Sequence, residues 1–184
     1  MAKPMEKESA EIIDFNEYME RIDEEAVEEF CEKSHSEAEE LLKDENKMER
    51  FLQKLEKKLK LVPVAGDVLA YIPVMISLVR SYIKKEYTEI PVASIISILV
   101  ALIYFLSPID LIPDAIPGAG YIDDAVVISG CLALILSDLE EYQYWRKENG
   151  YEIADLPEYT EPKDYGKFVN AFFKGRKSIK NKEN

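Results

Sequence analysis

Four carboxylates, Asp110, Asp114, Asp123 and Asp124, bracket a proline- and glycine-rich stretch in a chain of 184 residues. Asp110 and Asp114 lie four apart, so they share one face of any helical turn formed there. An all-oxygen donor set suits hard divalent cations, which makes the four acids candidate ligands for Mg²⁺, Mn²⁺ or Ca²⁺. The stretch from Ser107 to Asp124 contains no Lys or Arg. Acids buried there need a metal, a proton or a distant cation such as Arg80, because an unpaired charge is costly away from water. Local backbone chemistry offers these residues another task, and it is the favoured reading. Ser107 and Pro108 suit the N-cap and first position of a helix, and Asp110 then meets the positive end of its dipole. Asp123 can cap the next helix, with Ile122 and Val127 as its hydrophobic staple.

No other residues assemble a recognisable reaction centre. The sequence lacks a GxSxG elbow, a P-loop, a dinucleotide fingerprint and an HExxH pair. Its single histidine, His35, lies four residues after Cys31 and can share a helix face with it, but two ligands do not make a zinc site. Cys131 falls inside an apolar run, where a thiol is inert and its pKa raised. No catalytic residue and no resident cofactor is therefore expected. A divalent-metal-dependent enzyme working through the aspartates is the alternative.

The elements flanking the aspartates are unusually apolar. Twenty uncharged residues, IPVASIISILVALIYFLSPI, run from Ile90 to Ile109 and as a helix would reach about 30 Å, the thickness of a bilayer's hydrocarbon core. A second run, AVVISGCLALILS from Ala125 to Ser137, has thirteen residues and is short for a span. Arg80, Lys84 and Lys85 precede the first run, and Arg146 and Lys147 follow the second. The positive-inside rule then gives a membrane hairpin with both termini cytoplasmic. Tyr82, Tyr87, Tyr142, Tyr144 and Trp145 cluster at the same flanks, as interfacial aromatics do. The same runs also suit the core of a soluble, cytoplasmic helical bundle. Pro63 and Pro73 start or kink a helix in the apolar stretch before them.

Charge divides the chain into regimes. Residues 1–60 have a net charge of −8, residues 61–140 of −6, residues 141–162 of −4 and residues 163–184 of +5, giving −13 in all. Such an acidic body argues against a nucleic-acid partner, whose phosphates require a basic face. Two cysteines a hundred positions apart are too sparse for a disulfide scaffold. Residues 1–11 are charged and lack the apolar run of a secretory signal. The acidic head at 1–60 reads as two amphipathic helices. Ile12, Phe15, Met19, Ile22, Ala26 and Phe30 form the stripe of the first, with Ser9 as its cap. Ser36 and Glu39, at capping-box spacing, open the second, which carries Leu41, Met48, Leu52, Leu55 and Leu59. The pair suits a helical hairpin, or an arm for a protein partner. A linker at 141–162 leads to a basic amphipathic tail at 163–184, suited to an anionic membrane surface or to the acidic head.

The string YFLSPIDLIPDAIPGAGYIDDAVV, from Tyr104 to Val127, resembles the core motif of the YkvA-like domain family. The resemblance covers residues 65–137 and is carried by the SPIDLIPD and GYIDD elements. It implies a compact helical unit with a membrane association and no established activity, within a domain at 61–140. The expectation is thus an all-α protein with a helical hairpin core around the Pro/Gly/Asp-rich turn, acting as a membrane-associated structural or interaction module.

Overall fold

Each helix begins and ends where side-chain chemistry permits. In the computed structural model, which describes residues 24–61, 68–107 and 122–159, the head forms α1 (Glu24–Lys43) and α2 (Glu45–Leu59). The break falls at Asp44 and not at Ser36, so the capping box expected from Ser36 and Glu39 does not form. Ser36 sits mid-helix, because the apolar positions Phe30, Cys31, Ala38 and Leu41 continue past it as one buried stripe. Asp44 stops the helix by taking an extended conformation, and its carboxylate accepts bonds from the N–H groups of Asn46 and Lys47, both at 3.0 Å. The residues expected to start the first helix, from Ser9 to Ile22, lie outside the described residues. His35 lies 3.7 Å from Glu39, one turn on along the same helix.

A 3₁₀ turn at Val68–Tyr71 leads into α3 (Ile72–Ile83), with Pro73 in its first turn, where a missing N–H costs nothing. The long apolar run becomes α4 (Val92–Leu106), which starts after Pro91 and stops at the extended Ser107. The second becomes part of α5 (Ile122–Glu148), so residues 141–148 continue a helix; Asn149 and Gly150 then form a turn, with Gly150 at a positive φ, and an extended segment follows over 151–159. The described residues contain helices and no strand.

The position of α4 organises the rest. It contacts α1, α2, α3 and α5, and from Ile95 to Phe105 every residue but Ile96 is buried. A helix at the rim of a bundle buries one stripe. Burial all round marks a central helix. The neighbours each supply such a stripe: Met48, Phe51, Leu52 and Leu55 from α2, Leu78 and Val79 among others from α3, and Ile128, Cys131, Leu132, Ile135, Leu139 and Tyr142 from α5. Phe30 of α1 meets Tyr104 edge-on, with ring centroids 5.3 Å apart.

This arrangement differs from the membrane-spanning expectation for Ile90–Ile109. As α4 that run is fifteen residues, about 22 Å long, and its apolar circumference is covered by protein. Among the described residues no helix is long and apolar enough to cross a membrane.

Central burial predicts asymmetric sensitivity along α4. Leu99→Ala should cost about 2–5 kcal/mol of unfolding free energy through lost contacts and a cavity. Val92→Ala, on the 52% exposed first turn, should stay within about 0.5 kcal/mol. Urea titrations followed by circular dichroism check both.

Candidate functional site

The ends of α4 and α5 frame the aspartate motif. The Cys131 thiol donates to the Ser97 carbonyl at 3.4 Å, which fixes the register of the two helices. From that contact Ser107 lies ten residues along α4 and Ile122 nine residues back along α5. Further along α5, Tyr142 and Trp145 meet Tyr87, which precedes α4, so the two helices run antiparallel and the last turn of α4 and the first turn of α5 lie at the same end of the bundle. Asp123 and Asp124 belong to the first turn of α5, but their side chains lie outside the described residues. Asp110 and Asp114 also lie outside them. Among the described residues no group of three or more His, Cys, Asp or Glu is placed to hold a metal ion.

Two cations near these elements have settled roles. Arg80, the counter-charge considered for the aspartates, pairs with two glutamates of α2 among the described residues. Its guanidinium donates to Glu56 Oε1 at 2.8 Å and to both carboxylate oxygens of Glu49, at 3.1 and 3.3 Å. These bonds, Glu56 foremost, raise its pKa further, against the opposing effect of burial. Glu49 and Glu56 are two helical turns apart, a spacing visible in sequence once α2 is known. The other cation is Lys58, whose ammonium donates to the Phe105 carbonyl and lies 4.6 Å from the Phe105 ring centroid. It thereby meets the negative end of the α4 dipole, two residues before the Lys- and Arg-free motif begins. Ser107 is extended at that point, as its expected capping role requires, and the helix expected after it lies outside the described residues.

The opposite half of the bundle carries a polar and aromatic brace that the residue spacings did not reveal. The buried Tyr142 hydroxyl lies 2.8 Å from Ser77 Oγ and 2.9 Å from Ser81 Oγ, one turn apart on α3. Arg146, one turn beyond Tyr142, donates to Ser77 and, at 3.0 Å, to the Glu152 carbonyl. Tyr87 packs against Tyr142 and Trp145, and Trp145 stacks on Tyr151 at 5.7 Å between centroids. Burial, with the nearby acids Glu141, Glu89 and Asp138, holds the Tyr87 phenol above its usual pKa. Several flanking aromatics expected at a membrane interface are thus used inside the fold, while Tyr144 stays 66% exposed. The extended segment then crosses the bundle, where Tyr71 Oη donates to the Pro157 carbonyl at 2.6 Å and Tyr159 Oη to Ser129 O at 2.9 Å.

Such geometry positions and braces; no nucleophile and base face each other in it. The sequence comparisons agree on the family. The model of a family described as a protein of unknown function, DUF1232, matches residues 94–130, which run from the first turn of α4 through the connector into the first third of α5. The uncharacterized membrane protein YkvA of Bacillus subtilis (strain 168) is 32% identical over 78 residues, covering 42% of this chain and 74% of that protein. The chain belongs to the YkvA-like family. No solved structure matches it. In this YkvA-like chain the hairpin is completed by α1 and α2, which lie outside the matched residues 94–130 yet cover α4.

Two outcomes test the brace and the buried thiol. Tyr142→Phe removes the hydroxyl that joins Ser77 and Ser81 and should cost about 1 kcal/mol in urea unfolding. Burial pushes the Cys131 thiol from 9.0 up to about 12. Below pH 9 the thiol is protonated in both folded and unfolded chains. As pH rises from 9 towards 12, the unfolded thiol ionises and the folded one does not, so this contribution to stability is lost across that window. Stability should therefore fall more steeply with alkaline pH in the wild type than in Cys131→Ala.

Proposed function

We propose that this chain is a membrane-associated structural or interaction module without catalysis, held against the cytoplasmic face of a bilayer by its surface, with both termini on that side. The coverage of α4 carries this reading. Ile95, Ile98, Leu99, Leu102 and Phe105 point into a protein core, so the residues best suited to hydrocarbon are already used. Association by the outer surface leaves that core intact. That the Bacillus relative is a membrane protein supports a membrane role. The tail supports it too: Phe168, Phe172 and Phe173 are flanked by Lys167 on one side and Lys174, Arg176 and Lys177 on the other, a composition suited to an anionic interface.

Membrane extraction tests the reading. The full chain should co-sediment with membranes in low salt and pass to the supernatant in high salt or alkaline carbonate. Retention until detergent is added would establish an integral protein, and absence from the membrane pellet in low salt would remove the membrane role.

A further inference from the structure

The head is acidic as a segment, but its second helix is not. Between Glu45 and Leu59, α2 carries five basic residues and three acidic ones. Their placement separates them further. Met48, Phe51, Leu52 and Leu55 face the core. Glu49 and Glu56 lie on one flank, where Arg80 of α3 neutralises both. On the other flank Lys47, Arg50, Lys54 and Lys57 follow at intervals of three, four and three residues, and all four are exposed. That spacing makes a single stripe about 15 Å long. Arg50 Nε donates to the Asn46 carbonyl at 3.1 Å, and among the described residues none of the four makes an ion pair. One turn beyond Lys57, Leu61 is 82% exposed, and the uncharged residues VPVAG follow it in sequence.

We infer that the Lys47–Arg50–Lys54–Lys57 stripe of α2, with Leu61 at its end, is the surface by which this chain docks on a membrane containing anionic phospholipid. The inference rests on the membrane-associated reading above and names the face that reading needs. A convex helix face matches a flat surface better than a groove. Long cationic side chains reach lipid phosphates while their stems cover the boundary, and an exposed leucine beside them can enter the acyl region. The net charge of −13 opposes approach from afar, but screening confines each charge to about 8 Å at physiological salt, so the stripe governs contact. The separation of charge across α2 therefore has a consequence: by holding Glu49 and Glu56 to one side, Arg80 keeps acids from the docking face.

Vesicle flotation of the full chain tests this, using phosphatidylcholine alone and two parts phosphatidylcholine to one part phosphatidylglycerol. The wild type should float with the anionic vesicles only, less so as salt is raised. The combined variant Lys47→Gln, Arg50→Gln, Lys54→Gln, Lys57→Gln should bind them about a hundredfold more weakly or worse. The tail variant Lys174→Gln, Arg176→Gln, Lys177→Gln, Lys180→Gln should keep most of its binding. If the combined variant loses helix by circular dichroism, the four single substitutions replace it, each expected to weaken binding several-fold. Equal binding by wild type and stripe variants, or loss only in the tail variant, would overturn the stripe while leaving surface association intact. A wild type that is extracted from membranes by salt yet floats with neither vesicle would also overturn it, in favour of a protein receptor. Failure in both extraction and flotation would remove the membrane role itself.

Discussion

A helix with no charged residue from Val92 to Leu106 has no side to give to water, and satisfying it determines where every other element lies. In a bilayer lipid would cover such a helix. Here four helices do, each contributing one apolar stripe and turning its charged residues outward. The first turn, with Val92 exposed, is the part of α4 left outside this cover. At fifteen residues the helix reaches about 22 Å against the roughly 30 Å of a bilayer's hydrocarbon core, because the run that looked long enough to span has a proline-bounded start and ends at an extended serine.

Cations serve the arrangement at particular points. Lys58 closes the C-terminal end of α4, and Arg80 ties α3 to α2 through two glutamates. Both bonds come from or go to the head helix α2, so the head is joined to the hairpin by charge as well as by apolar packing. Arg146 joins α5 to α3 and to the extended segment after it. Partly exposed ion pairs of this kind add modest stability. Their larger effect is on orientation: they set which flank of α2 is acidic and bound and which is basic and open.

Much of this was legible in the residues. Apolar spacing gives the all-α class and most of the buried stripe of α2, and the setting of Cys131 in an apolar run gives the upward direction of its thiol pKa. Pro73 was placed correctly at a helix start. The motif from Tyr104 to Val127 identified the family before any geometry. Three features were not legible, for physical reasons. Ser36 and Asp44 are both acceptable caps, and only the continuous stripe through Ala38 and Leu41 decides between them. Length and flanking charge describe a span and a buried core helix equally well, since both exclude water; the difference lies in what surrounds α4, which is a tertiary fact. The partners of Arg80 among the described residues were also tertiary: nothing in its local sequence points to Glu49 and Glu56, which the fold brings to it. The aspartate set Asp110, Asp114, Asp123 and Asp124 remains an expectation from sequence, because its side chains lie outside the described residues.

The claim that α4 is the centre of a protein core is tested most directly by amide hydrogen exchange on the full chain in detergent-free buffer. Peptides covering Ile95–Phe105 should be the slowest to exchange, opening only with global unfolding, because backbone bonds at the middle of a cooperative core are freed last. Rapid exchange there without detergent, converted to protection only when detergent or lipid is added, would contradict the account and return α4 to the bilayer.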